Sequence, residues 1–326
     1  MRLPDVIRYA VFPVLILTGC VHRGGGVHLD QHVTLGGLQT WHLHNGTLEA
    51  WIAPERGRLF HLGRIGGENL LVSRKDRLED PDASANTDGW NNPGGEWLWP
   101  LTQVRWGDLG LPAWPPPPVL EAAWHAEAAR DEFGNPALLM WRVLDSPLSL
   151  RVERLFHFCP EQNNRLRIRQ TLTRTAVSEL PVVLWQITQM DEVDEVWMGR
   201  TQPGRFPNGY RLVAFEHPPA AHLHVDEGYV HYIAGAGQEF KIGADGVWIA
   251  ARRGDDVLLQ WTEGGDQGGA FPDGGSSVVL YLRSDDEYAE IETQSVEQHP
   301  AVGEQLRNML FLEVTSAGEF TVPLKP

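Results

Sequence analysis

Residues 165–174 read RLRIRQTLTR and alternate polar with apolar side chains. Successive residues of a β-strand point to opposite faces, so Leu166, Ile168 and Leu172 share one face. The other face carries the polar set: Arg165, Arg167, Arg169, Thr171 and Thr173. This pattern predicts a half-buried strand of an antiparallel sheet. The arginine row could hold an anion, but a solvated face paired with acids such as Glu153 is the stronger interpretation.

The same alternation recurs along most of the chain. Leu138–Leu144 and Leu148–Phe158 come before this stretch, and Thr40–His44 leads to Asn45-Gly46, a dipeptide typical of type I′ hairpin turns. The 34 glycines and 23 prolines lie between short alternating runs, as in β-proteins. About 15–18 short strands favour an all-β fold, a large two-sheet antiparallel β-sandwich, over a barrel or propeller. Because no composition shift divides residues 33–326, we expect them to form a single β-sandwich domain.

Composition argues against several classes of partner. With 42% apolar and 21% charged residues in 326, the chain can form a large core. Its formal net charge of −16 repels phosphate backbones, so we expect no nucleic-acid partner. The sequence lacks the Gly-x-Ser-x-Gly elbow, the phosphate-loop lysine motif and the dinucleotide fingerprint, and we expect no cofactor.

The first twenty residues resemble a bacterial lipoprotein signal. An apolar run over residues 10–17 leads into Leu17-Thr18-Gly19-Cys20, which resembles a lipobox, where cleavage precedes a lipidated cysteine. The run is too short to span a bilayer, so a retained transmembrane helix is the weaker interpretation. The resemblance implies a signal peptide over 1–19, then lipidated Cys20 and a flexible tether over 20–32. It also implies contact with the membrane through the lipid alone, on the periplasmic side of the outer membrane.

Residues 89–118 form a second distinctive stretch, which contains five of the chain's 13 tryptophans and several prolines. Proline removes backbone donors and glycine disfavours regular structure, so this stretch is not expected to form a helix. Rings beside polar side chains suit a ligand with apolar faces and hydroxyl edges, which describes a sugar. A long self-packed loop that caps the β-sheet core is the alternative, and both interpretations stay open. The candidate sugar contacts are Glu96, Trp97, Trp99, Gln103 and Arg105.

This tryptophan-rich stretch also carries a resemblance. The run Gly94-Gly95-Glu96, then Trp99-Pro100 and Gln103, followed by Trp114 and four prolines, resembles an uncharacterised bacterial lipoprotein family. That family is assigned to the galactose-mutarotase-like superfamily of large β-sandwiches. The resemblance implies the supersandwich fold and a surface that faces a sugar. It does not imply a reaction.

A shorter resemblance lies near the end of the chain. Glu292-Thr293-Gln294 resembles the Glu-Thr-Gln of aldose 1-epimerases, whose glutamate removes the proton of the anomeric hydroxyl. It implies that Glu292 is the general base, whereas a glutamate on an exposed strand face is usually only solvated. Residues 182–189 stand where these epimerases place a proton-donating histidine, and they contain none. Gln186 in that strand could bind a sugar hydroxyl, and His42, His44 or His157 could replace the missing donor.

Metal binding is only weakly indicated by the sequence. His42-Leu43-His44 and His222-Leu223-His224 each place two imidazoles on one strand face. Neither pair has a third ligand at a recognisable spacing, so we predict no metal site.

Three functional hypotheses follow from these patterns. The first is a lipid-anchored protein that binds a carbohydrate without catalysis. The second is an aldose 1-epimerase-like enzyme with Glu292 as the base. The third is a structural envelope protein whose tryptophan-rich stretch docks a protein partner; an exposed apolar patch in place of a cleft would favour it.

Overall fold

Two ten-stranded antiparallel sheets contain the twenty strands of the part of the chain that the structure describes. The structure is a computed structural model, and it describes residues 26–35, 37–74, 77, 90–159, 161–201, 204–235, 237–264, 269–283 and 288–323. The predicted signal peptide and Cys20 lie outside these ranges. None of the described helices is both long enough and apolar enough to cross a membrane.

Sheet one contains ten strands, numbered here in chain order. From edge to edge they are β1 (His28–Leu35), β2 (Leu38–His44), β3 (Leu48–Ala53), β4 (Arg58–Arg64), β5 (Glu96–Trp99), β10 (Trp185–Met190), β19 (Ala289–Gln294), β18 (Val278–Leu282), β15 (Phe240–Ala244) and β12 (Arg211–Phe215).

Sheet two packs against sheet one across a shared apolar core. Its strands from edge to edge are β13 (Leu223–Val225), β14 (Tyr229–Ile233), β11 (Glu195–Gly199), β16 (Trp248–Arg253), β17 (Asp256–Gly264), β20 (Gln305–Ser316), β9 (Arg165–Arg174), β8 (Leu150–Phe158), β7 (Pro136–Leu144) and β6 (His125–Arg130). The prediction of an all-β, two-sheet antiparallel sandwich is therefore confirmed.

The alternating stretch of residues 165–174 is strand β9, as predicted. Its apolar residues Leu166, Ile168 and Leu172 are fully buried between the sheets. On the outer face, Arg165 donates from Nε to Glu313 of the neighbouring strand β20 at 2.8 Å. The arginine row therefore lies on the outer face, and Arg165 is paired there with an acid, as expected. That acid is Glu313 rather than Glu153, the example that the sequence suggested.

The first hairpin forms where it was predicted, but with a different turn. A type I′ turn needs a positive φ at both central residues, and here only Gly46 has one, at 85°. The side chain of Asn45 instead accepts hydrogen bonds from the backbone N–H groups of Thr47 and Leu48, at 3.0 and 2.9 Å. Strand β1 also begins earlier than expected: residues 28–31 pair with β2, inside the range assigned to the tether.

Two glycines bring the tryptophan-rich stretch into sheet one. Gly94 and Gly95 both have φ near +90°, a conformation that side chains with a Cβ rarely adopt. A Cβ on Gly94 would lie 2.4 Å from the carbonyl oxygen of Val72, and one on Gly95 would lie 2.6 Å from that of Leu59. The chain can therefore pass close to its neighbours and enter β5 directly.

The prediction that this stretch contains no helix is wrong in part. A 3-10 helix spans Gln103–Leu109, and a four-residue helical turn follows at Pro118–Glu121. Proline is tolerated in the first helical turn, where its missing N–H would have no partner, and Pro118 stands there. Pro272–Gly275 form a further short turn, in which Asp273 and Gly274 have positive φ values of 49° and 67°.

A buried ion pair joins the two sheets beneath this stretch. Arg154 of β8 and Glu96 of β5 are fully buried, with Arg154 Nη2 2.5 Å from Glu96 Oε1. Burial raises the pKa of Glu96, and the Arg154 guanidinium opposes that rise. Removing one partner of such a pair leaves an uncompensated charge in the core.

We expect Glu96→Leu to destabilise the protein by about 3–5 kcal/mol, because Arg154 then stays buried without its partner. The double variant Glu96→Leu/Arg154→Met removes both charges and should recover most of that loss. Urea denaturation of the wild type, both single variants and the double variant measures the coupling. A Glu96→Leu protein as stable as the wild type would contradict this role.

Candidate functional site

A pocket of about 440 Å³ lies on the outer face of sheet one. Five adjacent strands form its floor, β5, β10, β19, β18 and β15, and each contributes an outward-facing residue: Trp99, Trp185, Glu290, Tyr281 and Lys241. Direct cross-strand pairing aligns these positions, for example Trp185 with Trp99 and Tyr281 with Glu290. Because side chains alternate along each strand, the intervening residues point into the core.

Six tryptophans form one wall of the pocket, with Trp99 at their centre: Trp90, Trp97, Trp99, Trp106, Trp114 and Trp185. The Trp99 ring lies 5.3 Å from Trp185 and 5.5 Å from Trp106, centroid to centroid, in edge-to-face geometry. Aromatic pairs favour this arrangement. The rings are almost fully buried except Trp114, which is 36% exposed. The stretch is therefore a self-packed aromatic layer and also a pocket wall, so both sequence interpretations describe part of it.

Arg58 holds this wall in place from behind. Its guanidinium lies 3.9 Å from the Trp97 ring centroid, donates to the carbonyl oxygen of Gly94 at 2.8 Å and pairs with Glu121 at 2.9 Å. Glu121 also accepts a hydrogen bond from the indole N–H of Trp99 at 3.1 Å. Two of the rings are thus held by polar contacts as well as packing, which preorganises the surface that they present.

Lys241 supplies a positive charge beside the carboxyl groups of Glu292, Asp273 and Glu290. Its Nζ lies 3.2 Å from Glu292 Oε1 and 3.7 Å from Asp273 Oδ2, and 5.1 Å from the Trp185 ring. Burial opposes its charge, but the carboxylates of Glu292, Asp273 and Glu290 raise the pKa of Lys241 above its ordinary value. Lys241 is therefore an ammonium at neutral pH.

Burial also raises the pKa values of the two glutamates on β19. It raises the pKa of Glu292 to about 8, against the opposing effect of Lys241. It raises the pKa of Glu290 as well, although Gln189 donates a hydrogen bond to Glu290 at 2.6 Å. The negative charge of Glu290 adds to the rise at Glu292, so both carboxyl groups keep their protons to higher pH than an ordinary glutamate.

The tyrosines on the far side of the pocket remain protonated. Burial raises the pKa of Tyr288 to about 12 and also raises that of Tyr281, whose hydroxyl donates to Glu239 at 2.6 Å. Phe215 and Arg283 complete this side. The pocket therefore offers hydroxyl, carboxyl, ammonium and guanidinium groups opposite a wall of indole rings.

Three of the residues predicted to contact a sugar line the pocket. Trp97 and Trp99 project from β5, and Gln103 begins the 3-10 helix above them. Gln103 also donates to the carbonyl oxygen of Ala113 at 3.1 Å. Glu292 shares the outward face of β19 with Glu290, because it pairs with Ile187 of β10, which lines the pocket. It is fully buried there and accepts a hydrogen bond from the indole N–H of Trp185 at 2.8 Å.

The structure places the other three predicted contacts away from the pocket. Glu96 alternates with Trp97 along β5 and therefore points into the core toward Arg154. Gln186 alternates with Trp185 and lies fully buried between the sheets, 3.0 Å from the hydroxyl of Thr293. Arg105 forms a two-point ion pair with Glu297, at 3.0 and 3.2 Å, and does not line the pocket.

No histidine lines the pocket in the described ranges, so the epimerase-type proton donor has no histidine replacement there. His42 and His44 lie on β2, near the far edge of sheet one, and His157 is buried on β8 of sheet two.

Sequence reasoning missed most of the polar floor. The alternation of the strand places Glu290 on one face with Glu292, but two neighbours on one strand do not flank a bond as paired glycosidase carboxylates do, and no other role was predicted for Glu290. Lys241 is one of only three lysines among 27 basic residues, with Lys75 and Lys325, and that rarity was the available signal. Tyr281 and Glu239 carry no such signal, because only the pairing of β15 with β18 brings them to the site.

Several solved structures have a fold similar to that of this chain. No protein-family model and no curated protein matches this sequence. A galactose mutarotase-like protein from Clostridium acetobutylicum superposes with a TM-score of 0.55 at 11% identity, over 89% of this chain and 99% of that one. Galactose 1-epimerase from Lactobacillus acidophilus superposes with a TM-score of 0.50 at 12% identity, over 89% of this chain and 98% of that one. A galactose mutarotase related enzyme from the same organism superposes with a TM-score of 0.50 at 9% identity, over 85% of this chain and 97% of that one.

The chain has the galactose-mutarotase-like β-sandwich fold. The resemblance drawn from the tryptophan-rich stretch is thus confirmed at the level of the superfamily fold. Its narrower part, membership of a bacterial lipoprotein family, stays a prediction. At these identities the likeness concerns the fold alone, and activity has to be argued from the pocket.

The raised pKa of Glu292 predicts a pH dependence of stability. A carboxyl group whose pKa rises from 4.5 to about 8 on folding stabilises the fold below pH 4.5, and the contribution is lost as the pH rises through 8. Between about pH 5 and pH 9, the melting temperature should therefore fall more steeply in the wild type than in Glu292→Gln.

The matched control for this measurement is Glu127→Gln, an exposed glutamate on β6. Its melting temperature should follow the wild-type pH profile. Equal slopes for Glu292→Gln and the wild type would show that Glu292 titrates near its ordinary pKa.

Proposed function

We propose that this protein binds a carbohydrate in the tryptophan-lined pocket. The observation that carries the proposal is the pairing of a fixed indole wall with a polar floor in one cavity of about 440 Å³. Sites for small ligands commonly have volumes of about 300–1,000 Å³ and combine aromatic linings with a few convergent polar groups.

The two sides of the pocket match the two surfaces of a sugar ring. Trp114, the most exposed of the six indole rings, can stack on the sugar's C–H groups, and the rings packed behind it are already ordered, so little conformational entropy is lost on binding. Lys241, Glu290 and the Tyr281 hydroxyl can then hydrogen-bond the ring hydroxyls. This chain shares its fold with proteins that include a galactose 1-epimerase, and a sugar ligand is consistent with that likeness.

The cellular context remains part of the proposal. The lipobox-like Leu17-Thr18-Gly19-Cys20 supports a lipid anchor on Cys20, with the protein held at the outer membrane facing the periplasm. The pocket would then meet sugars of the cell envelope.

Trp114→Ala should weaken carbohydrate binding about tenfold, a loss of roughly 1.4 kcal/mol, because it removes a ring from the accessible part of the wall. Trp114 is the suitable target, since it is the most exposed of the six rings and its loss disturbs the core least. Titration of a sugar panel, followed by tryptophan fluorescence and calorimetry, measures the change.

Trp141→Ala is the control variant, because this partly buried indole lies on β7 of sheet two, stacked on His125. It should bind sugars like the wild type. Absence of binding by monosaccharides and oligosaccharides alike would contradict the proposal and favour the protein-docking hypothesis.

A second candidate function, aldose 1-epimerase activity, is favoured by one specific observation. Glu290 and Glu292 are neighbouring carboxyl groups of raised pKa beside the ammonium of Lys241. Anomer exchange needs a base for the proton of the anomeric hydroxyl and an acid for the ring oxygen. Carboxyl groups of raised pKa can accept and donate protons closer to neutral pH than ordinary glutamates.

In this candidate reaction the two glutamates differ in access to the sugar. Glu290 lines the pocket, whereas Glu292 is fully buried and bound by Trp185 and Lys241. Glu290 would therefore contact the sugar, and Glu292 would set the charge around it through Lys241. This assignment differs from the resemblance, which implies Glu292 as the base.

If the protein is an epimerase, Glu290→Gln should slow anomer exchange at least about 100-fold, the usual range for loss of a general acid or base. Glu292→Gln should instead shift the pH optimum and retain more activity. NMR exchange spectroscopy on a panel of hexoses and pentoses measures both. A larger loss of exchange rate in Glu292→Gln than in Glu290→Gln would identify Glu292 as the general base. If wild-type protein exchanges anomers no faster than buffer does, the epimerase candidate fails and only the proposal of carbohydrate binding remains.

A further inference from the structure

The edge of sheet one away from the pocket carries a second group of ligand-forming side chains. Cross-strand pairing places His28 opposite His44 and Asp30 opposite His42, where β1 meets β2. These positions alternate along both strands, so their side chains share one face of the sheet. Glu49 of β3 lies next to them, opposite His44.

Three of these residues converge on one point. Asp30, His42 and His44 each present a possible ligand atom, and these three atoms lie within 4.8 Å of one another. Nε2 of His44 is 3.6 Å from Oδ2 of Asp30, and the rings of His42 and His44 stack 4.8 Å apart. We define Asp30, His42 and His44 as the histidine patch.

We propose that the histidine patch binds a divalent transition-metal ion, with Zn²⁺ as its reference ion. Two imidazoles and one carboxylate form a ligand set that Zn²⁺ accepts, with a fourth position left for water or another ligand. Imidazole also suits Cu²⁺ and Ni²⁺, whereas Ca²⁺ and Mg²⁺ favour oxygen ligands. The proposal is independent of carbohydrate binding, because the patch and the pocket share no residue.

The distances permit coordination after small side-chain movements. Zn–N bonds of about 2.0–2.1 Å place two ligands of a tetrahedral ion about 3.3 Å apart, so the patch atoms need to approach by at most about 1.5 Å. The Asp30 side chain is 61% exposed, so solvent leaves it room to turn toward an ion, while those of His42 and His44 are partly buried at 19% and 25%. The partly buried imidazoles provide a positioned pair, and the exposed carboxylate can complete it.

The surroundings supply the outer contacts that metal sites use. Nε2 of His42 lies 3.0 Å from Oε2 of Glu49, and ligating histidines commonly donate their second ring N–H to a carboxylate. Glu49 is itself held, since it accepts a hydrogen bond from the indole N–H of Trp51 at 3.1 Å. The ring of His28 stacks on His44 at 4.9 Å and adds a further imidazole next to the histidine patch.

Strand pairing explains why the sequence did not indicate this site. The third ligand, Asp30, lies on a different strand from the His-Leu-His pair, so no local spacing connects them. The other pair, His222 and His224, gains no such third ligand within the described residues. His222 Nδ1 instead lies 2.8 Å from the carbonyl oxygen of Ile233.

The test uses the full-length chain without a histidine tag, stripped with a chelator and titrated with Zn²⁺ by calorimetry. We expect one equivalent to bind at this site, and His44→Gln and Asp30→Asn each to weaken binding at least about tenfold. Titration with Co²⁺ should give a visible absorption band of imidazole-bound metal, which His42→Gln/His44→Gln removes. His224→Gln is the matched control and should bind like the wild type.

Two results would overturn the proposal. One is no Zn²⁺ or Co²⁺ binding by the wild type. The other is binding that persists unchanged in His42→Gln/His44→Gln, because the metal would then be held elsewhere. Circular dichroism and melting temperature without metal show whether each variant is folded, and Asp30→Asn, at an exposed position, keeps the test available if a histidine variant unfolds.

Discussion

The hydrogen-bond register of β5, β10 and β19 is the constraint on which this structure depends. Side chains alternate along these strands, so one register sends Trp97, Trp99 and Trp185 outward and Glu96 and Gln186 inward. A shift of one residue would bury the rings between the sheets and expose the inter-sheet polar groups. The Glu96–Arg154 ion pair opposes that shift, because either charge alone in the core is costly.

Pocket and core are therefore two faces of the same strands. Glu292 lies on the pocket face of β19, as Glu290 does, but it has no solvent exposure and contacts Trp185 and Lys241, both of which line the pocket. Protonation of Glu292 would change the net charge beside Lys241 and so the electrostatic potential of the pocket. The likeness to mutarotase-like proteins concerns the scaffold alone, and the indole wall and Lys241 are features of this chain's own residues.

Sequence patterns predicted the tryptophan residues of the site better than its charges. Trp97, Trp99 and Gln103 stand in one distinctive stretch, and their types alone indicated a ligand surface. Glu96 and Arg105 were grouped with them because they are close in sequence. In the structure, strand alternation points the Glu96 side chain into the core, and Arg105 forms an ion pair with Glu297 away from the pocket. Residues adjacent in sequence are poor evidence of a shared site in a β-sheet, because neighbours point to opposite faces.

The sequence by itself determined the strands, their buried faces and the two-sheet class, since period-two alternation and turn residues are local properties. It also determined that this chain would present an unusual density of indole rings. Only the tertiary structure decided which strands became neighbours, and so placed Lys241 beside Glu292 and Asp30 beside His44. The physical reason is that strand order and register depend on packing of the whole core. Lys241 and Glu292 lie on strands distant in the chain, whereas Asp30 meets His44 only through the pairing register of β1 with β2.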